Sequence, residues 1–217
     1  MFSPQFGGVG IYNPNLHICN VMDKRLERAM NAKIEQVLEE LHGPGIVLLF
    51  SDPQDTQEMN ARLLSYFINK GYHGIALASS QPFDRFEKAI GEKESQNIFF
   101  IDTFTRYEPF PERSDRHIYI DNPSSLTDIG IAITESIKSL PEGKRFLLLD
   151  SISSIAIHTN VQVFAKFSHF LAGKMREHKI VGVFMSATNS MDEQMVSAIS
   201  QFADKTIDLT DGKSSGD

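Results

Sequence analysis

The strongest constraint on the fold is a repeated alternation between short apolar runs and amphipathic segments, which begins at Ile46. The run Ile46–Phe50 contains only apolar residues, as expected of a strand buried on both faces of a parallel sheet. Further strands are predicted at His73–Ala78, Ile98–Ile101, Ile118–Ile120, Arg145–Leu149, Ile180–Met185 and Thr206–Leu209. This alternation predicts an α/β fold with a mainly parallel central sheet and helices on both faces.

The segments between the predicted strands have apolar residues at helical spacing. Glu58–Asn69 is the first of them, and Gly71 ends it. The others are predicted over residues 82–90, 124–140, 161–177 and 191–202. On the helix over 161–177, Phe164, Phe167 and Phe170 are predicted to face the core.

The length of 217 residues fits one domain with an extra N-terminal segment. Residues 1–42 are predicted to form an N-terminal arm that ends in a helix. Gly43-Pro44-Gly45 ends that helix, and residues 43–210 are predicted to form the core domain. Residues 211–217 are polar, which predicts a flexible tail.

Charge and cysteine content exclude several classes of protein. The net charge is −7, and the chain has no basic block of the kind that neutralises phosphates in nonspecific nucleic-acid binding. Cys19 is the only cysteine, which excludes an internal disulfide and a cysteine-based zinc cluster. No apolar run is long enough to cross a bilayer, and the first residues lack a signal-peptide pattern. We therefore expect a cytoplasmic protein without a membrane span or a nucleic-acid partner.

In sheets of this kind, ligands bind beyond the carboxyl ends of the strands. The chemistry is therefore expected directly after Phe50, directly after Ala78 and at Asp150. Each of these points follows a predicted buried strand. These three strand ends contain the candidate site residues.

Five short motifs resemble, in their order and spacing, the KaiC-like branch of the RecA-type ATPases over about residues 43–209. They read GPGIVLLF at 43–50, NKGYHG at 69–74, FID at 100–102, FLLLDS at 146–151 and FADKTIDL at 202–209. The motif with Asp150 and Ser151 matches the Walker B strand of that family. The resemblance implies a RecA-like three-layer fold, and it suggests a prokaryotic, in particular archaeal, signalling or assembly context.

The phosphate-binding loop of that family is degenerate in this chain. Active members have a Gly-rich loop that ends in Gly-Lys-Ser/Thr, whose backbone N–H groups, lysine and hydroxyl hold the phosphates and magnesium. Residues 51–59 read SDPQDTQEM, with Gln57 at the lysine position and Glu58 at the hydroxyl position. Asp52 and Asp55 add further negative charge, which would repel a triphosphate.

Two further parts of the ATPase machinery are absent from the sequence. Ser79 and Ser80 stand at or near the positions where KaiC-like ATPases place the glutamates that polarise the attacking water. No Lys or Arg occurs between Lys179 and Lys205 to act as a cation on a neighbouring site. The degenerate nucleotide site comprises Asp52, Asp55, Gln57, Glu58, Ser79, Ser80, Asp150 and Ser151. We predict no catalytic residue, no bound nucleotide and no other cofactor there.

Metal binding is the main alternative for the acidic residues. Asp150-Ser151 could hold a magnesium ion, and Asp52, Asp55, Glu58 and Asp150 could gather around calcium or magnesium. We favour a structural role for Asp150 as a cap of the next turn, and solvated positions for the loop acids. The histidines form no His-x-x-x-His pair, so no zinc site is predicted.

These features predict a noncatalytic KaiC-like pseudo-ATPase that acts as a regulatory or scaffolding protein. Its partner would be another protein or a second copy of itself. The loop over residues 106–113, rich in aromatics and arginine, is as good a candidate for an interface as for a packed surface loop. Two alternatives stay open: a divergent ATPase that binds nucleotide through carboxylate-bound metals, and a recombinase-like accessory protein that binds single-stranded DNA.

Overall fold

The computed structural model of the chain describes residues 32–41, 43–105 and 115–210. Within them, seven strands form one sheet in the order β4-β3-β2-β5-β6-β1-β7, and every neighbouring pair is parallel. The strands are β1 Gly45–Ser51, β2 His73–Ala78, β3 Ile98–Asp102, β4 His117–Tyr119, β5 Arg145–Leu149, β6 Ile180–Ala187 and β7 Lys205–Asp208. The predicted α/β fold class is confirmed.

Helices lie between the other consecutive strands, whereas the described residues between β3 and β4 contain no helix. Residues 32–40 are helical and are labelled α1. The other helices are α2 Thr56–Asn69, α3 Phe83–Ile90, α4 Glu92–Ser95, α5 Leu126–Ser139, α6 Ile152–Ala156, α7 Val161–Glu177 and α8 Glu193–Ser200. Helices α4 and α6 were not predicted, because helices of four and five residues are too short to show a helical period.

The helices cover both faces of the sheet. Phe67 of α2 stacks on Phe146 of β5, with 4.4 Å between the ring centroids. Leu147, the next residue of β5, belongs instead to the apolar cluster that contains residues of α5 and α7. Consecutive side chains of a strand point to opposite faces, so α2 and α7 lie on opposite sides. At Gly74 of β2, an added Cβ would lie 2.3 Å from the Phe146 ring, so this stack requires glycine.

Most predicted element bounds agree with the structure, and the differences are local. The bounds of β2, β5 and α7 are confirmed to the residue. The prediction for Phe170 is wrong, because its side chain is 38% exposed whereas Phe164 and Phe167 are buried. Phe170 is six residues beyond Phe164, which places it about 120° away from Phe164 around the helix.

Several predictions fall on residues outside the described part of the chain. These are most of the N-terminal arm and helix over residues 1–42, the loop over 106–113 and the tail over 211–217. The predicted domain boundaries after residues 42 and 210 stay predictions. Of the helices in the described ranges, none has the combination of length and apolarity that crossing a membrane requires.

Candidate functional site

The most unusual group at the carboxyl edge of the sheet is the buried carboxylate of Asp150. It is 1% exposed, and it accepts four hydrogen bonds. Ser79 donates to Oδ1 from its backbone N at 2.8 Å and from Oγ at 2.6 Å. Ser80 donates to Oδ2 from its backbone N at 2.9 Å and from Oγ at 2.6 Å. Both oxygens are thus held by donors of the chain itself.

The order of the strands brings these three residues together. β2 and β5 are neighbours, with Leu77 paired with Leu149 in the register. Asp150 directly follows β5, and its backbone N donates to the carbonyl of Leu77 at 3.2 Å. The residues after Ala78 therefore turn across the end of β5, where their N–H groups meet the Asp150 carboxylate.

Burial sets the ionisation of this carboxyl group. Removal from water raises the pKa of the Asp150 carboxyl above its ordinary value, and the hydrogen bonds from Ser79 and Ser80 act in the opposite direction. The four donors make a buried carboxylate tolerable. They also leave it without the free oxygen positions that a magnesium ion needs.

Ser151 has a structural role in the same cluster. Its Oγ accepts from the backbone N of Ser154 at 3.2 Å and so caps helix α6. Its carbonyl oxygen lies 3.0 Å from Ser79 Oγ, whose single proton is directed to the closer Asp150 Oδ1. The expectation that Asp150 caps the next turn is therefore wrong: Ser151 is the cap, and the Asp150 carboxylate is bound to the loop after β2.

The segment between β1 and α2 forms a tight turn. Only four residues separate Ser51, the end of β1, from Thr56, the start of α2. Thr56 Oγ1 donates to the carbonyl of Asp52 at 3.1 Å, and Ser51 Oγ lies 2.9 Å from the same Thr56 oxygen. The backbone N of Asp55 donates to the same carbonyl at 3.0 Å. The turn is thus closed by its own hydrogen bonds.

The two positions that would contact phosphate in the resembled family lie in the first turn of α2. Gln57 and Glu58 are both exposed. Glu58 forms an ion pair with Arg62, one turn further along the same helix. Such a pair at positions i and i+4 is a common arrangement on a solvated helix face. Among the described residues, no three acidic, histidine or cysteine side chains gather in a way that could hold a metal ion.

Asn60 also belongs to this site, although it was not predicted as a site residue. Its side chain is fully buried, and its Nδ2 donates to the carbonyl of Asp150 at 2.9 Å. It thereby joins α2 to the end of β5. The sequence does place Asn60 on the apolar face of α2, three residues before Leu63 and four before Leu64. A polar side chain on a buried face needs a hydrogen-bond partner there, and this requirement could have identified Asn60.

Asp102, at the end of β3, is a second carboxylate that the chain satisfies internally. It is 1% exposed. It accepts from the backbone N of Phe83, the first residue of α3, at 3.1 Å, and from the backbone N of Phe104 at 2.8 Å. Thr105 donates to it from both its backbone N and its Oγ1, each at 2.7 Å. This carboxylate also has no open position for a ligand cation.

A cavity of about 420 Å³ lies beside Ser79 and Ser80. Its lining combines hydroxyl groups, His158 and the exposed apolar side chains of Phe104 and Ile157. As far as the described residues form it, this lining contains no lysine or arginine. The cavity can therefore accept a neutral or apolar group, but it offers no cation to a phosphate.

The sequence over residues 45–209 matches the model of a family of unknown function, DUF7504. The chain belongs to this family. The match covers the whole of the sheet from β1 to β7. No curated protein matches this DUF7504 sequence.

A solved structure shows which fold this DUF7504 protein has. It superimposes on the KaiC-like protein PH0186 of the hyperthermophilic archaeon Pyrococcus horikoshii OT3, with a TM-score of 0.54 and 13% identity over 76% of this chain and 71% of that one. A second solved structure, that of an ATPase domain, also matches, with a TM-score of 0.49 and 11% identity over 76% of this chain and 69% of that one. The fold is the RecA-like α/β fold, as the sequence motifs predict.

Proposed function

We propose that this DUF7504 protein is a noncatalytic KaiC-like pseudo-ATPase that acts as a regulatory or scaffolding protein through protein–protein contact. The observation that carries the proposal is the set of four hydrogen bonds between Asp150 and Ser79-Ser80. An ATPase of this fold needs a free carboxylate for magnesium and a base for water at these positions. In this protein, Ser79 and Ser80 donate hydrogen bonds to the Asp150 carboxylate, so the residues at the magnesium position and at the base position bind each other.

The charges around the turn between β1 and α2 support the same proposal. Asp52, Asp55 and Glu58 are acidic, and Gln57 is neutral. Two unit charges of the same sign about 4 Å apart near a protein surface repel by about 4 kcal/mol. A triphosphate at this turn would meet such repulsion without a lysine of the turn to offset it.

Exposed apolar side chains favour a protein partner over a small polar substrate. Ile157 is 69% exposed and Phe104 is 47% exposed, and both line the cavity beside Ser79 and Ser80. Apolar surface of this kind, bordered by polar side chains, is typical of protein interaction sites. We therefore assign the interaction surface to this carboxyl edge of the sheet.

The decisive experiment is a calorimetric titration of the full chain with ATP and ADP, with and without magnesium. The proposal predicts no magnesium-dependent heat. The matched variant is Gln57→Glu, which adds one charge at an exposed position in the first turn of α2 and should leave the fold intact. Magnesium-dependent ATP binding that Gln57→Glu weakens, together with phosphate release, would establish a divergent ATPase instead.

The scaffolding part of the proposal is tested by sedimentation velocity over a range of protein concentrations. If the partner is a second copy, the mass should rise with concentration, and Ile157→Ser should shift the equilibrium toward monomer. Val163→Ser, at another exposed apolar position, is the control and should leave it unchanged. An equal effect of both variants would remove the assignment to the carboxyl edge.

A further inference from the structure

The opposite edge of the sheet contains a basic pocket. A cavity of about 500 Å³ lies among the amino ends of the strands, and we call it the amino-edge pocket. Its lining includes four cationic side chains: Lys70, Lys144, Arg145 and Lys179. Glu39 is the one carboxylate among the lining residues that the structure describes. This local excess of positive charge occurs in a chain whose net charge is −7.

The parallel sheet is what gathers these cations. Arg145 is the first residue of β5, and Lys179 directly precedes β6, the next strand in the sheet. Lys70 directly follows α2, whose chain returns to the same edge before β2. In a parallel sheet all amino ends lie at one edge, so residues far apart in sequence meet there.

Tyrosine rings support two of the lysines at fixed positions. Lys70 Nζ lies 5.5 Å from the centre of the Tyr66 ring, and Lys144 Nζ lies 5.5 Å from the centre of the Tyr72 ring. Both tyrosines line the pocket. Cation–π contact of this kind orders a lysine side chain. Lys70 also forms an ion pair with Glu39, with 3.8 Å between Nζ and Oε1.

Lys179 has a backbone conformation that is uncommon for lysine. Its φ is 55°, in the left-handed region that strongly favours glycine, and its side chain is exposed. It follows the C-cap of α7, where helices commonly have one left-handed residue, most often glycine. A lysine at this position adds an ammonium group to the pocket at the expense of backbone strain.

Stabilisation of helix ends explains only part of this cluster. A cation near the carboxyl end of a helix interacts favourably with the helix dipole. Lys70 follows α2 and Lys179 follows α7, so both fit this explanation. Lys144 Nζ donates to the carbonyl of Lys70 at 3.4 Å, and the Arg145 guanidinium donates to the carbonyl of His178, so these two side chains also contact helix ends. Each of these contacts uses one N–H donor, whereas an ammonium group has three and a guanidinium group has five. In addition, the buried Nε of Arg145 has no acceptor within the described residues.

We propose that the amino-edge pocket binds a small ligand that has several phosphate groups. Phosphate groups concentrate negative charge, and lysine ammonium groups bind them as compact point charges. The volume is in the range of small-molecule sites. Single-stranded DNA would instead need a groove that follows its backbone. This site is separate from the one on which the proposed function rests.

The test is a calorimetric titration of the full chain with inorganic tripolyphosphate, without magnesium and at low ionic strength. Binding is expected, and it should weaken as salt is added. Lys179→Gly should weaken it about tenfold or more, because it removes one charged donor. Glycine adopts a φ of 55° without strain, so this variant should fold as the wild type does, which a thermal melt checks. Lys144→Gln is the second variant, at an exposed lysine.

The controls separate this pocket from other sites. Lys166→Gln, at an exposed lysine of α7, and Gln57→Glu, at the carboxyl edge, should both leave tripolyphosphate binding unchanged. Absence of binding, or binding that Lys179→Gly and Lys144→Gln do not weaken, would overturn the proposal. Equal affinity for citrate would overturn the assignment to phosphate. Affinity that increases with the length of a single-stranded oligonucleotide would assign the pocket to DNA instead.

Discussion

At the carboxyl edge of the sheet, the buried carboxylate of Asp150 accepts four hydrogen bonds from Ser79 and Ser80. At the amino edge, four cationic side chains line a pocket of about 500 Å³, and the three lysines among them are exposed. A buried charge must be surrounded by donors of the chain, and it then has no capacity left for a ligand. Exposed lysine side chains keep more N–H donors that a ligand can reach. Ligands usually bind at the carboxyl edge of such a sheet, but in this protein the amino edge has more positive charge for a phosphate.

The largest expected effect comes from removing the Asp150 carboxylate. Asp150→Ala leaves the donors of Ser79 and Ser80 without their acceptor, so we expect the free energy of unfolding to fall by about 2–5 kcal/mol. Urea unfolding measures this. Asp121→Ala, at an exposed aspartate, is the control and should change it by less than about 0.5 kcal/mol. If both variants are equally stable, the Asp150 cluster is not a structural unit.

Removing one hydroxyl of the cluster should have a smaller effect. Ser80→Ala deletes the Oγ–Oδ2 hydrogen bond of 2.6 Å to a buried carboxylate. A hydrogen bond to a charged group is worth about 1.5–3 kcal/mol, and the free energy of unfolding should fall by that amount. Ser139→Ala, whose hydroxyl donates to a backbone carbonyl on the exposed surface, should cost clearly less in the same urea experiment.

The pH dependence of the free energy of unfolding tests whether the Asp150 carboxyl group is buried and ionisable. Burial raises the pKa of the Asp150 carboxyl above its ordinary value of 3.8. The unfolded chain therefore releases this proton at a lower pH than the folded protein does. The wild type should lose stability relative to Asp150→Asn as the pH rises above 3.8 and through the folded-state pKa.

Urea unfolding of both proteins at a series of pH values measures this difference. Ser79→Ala removes one of the hydrogen bonds that lower the pKa, so it should extend the loss to higher pH. Parallel stability profiles for the wild type and Asp150→Asn would contradict the burial of an ionisable group at this position.

The smallest expected effect concerns the backbone at the amino edge. Lys179→Gly should leave the free energy of unfolding within about 1 kcal/mol of the wild type, because relief of the strain at φ 55° offsets the extra freedom of glycine in the unfolded chain. Gly71→Ala is the reverse substitution, at a φ of 76° with nothing within 4 Å of the added Cβ. It should destabilise by about 1–2 kcal/mol. Thermal melts compare the two, and equal losses would argue against strain at Lys179.

Local patterns in the sequence were sufficient for the fold and for the location of the carboxyl-edge site. The apolar runs Ile46–Phe50 and Arg145–Leu149 predict buried strands because only a doubly covered strand is apolar along nearly its whole length. Asp150 directly follows such a strand, so its place at the carboxyl edge also follows from the sequence. The motifs around it predict the RecA-like fold.

The partners of these residues could not be predicted in the same way. Asn60 lies on a predicted helix, but its bond to the carbonyl of Asp150 spans 90 residues of sequence. This contact depends on which elements pack together, which a periodic pattern does not specify. The exposure of Phe170, at 38%, has a different origin, because its offset of about 120° from Phe164 around α7 follows from the helical spacing itself.

The sequence by itself determined the alternating strands and helices, the parallel sheet and the absence of glycine and lysine from the turn between β1 and α2. These are local properties that short-range spacing and residue type encode directly. Only the tertiary structure decided that Ser79 and Ser80 enclose the Asp150 carboxylate and that Lys70, Lys144, Arg145 and Lys179 meet in one pocket. The physical reason is the strand order, in which β2, β5 and β6 are neighbours although about 70 residues separate β2 from β5 in the chain.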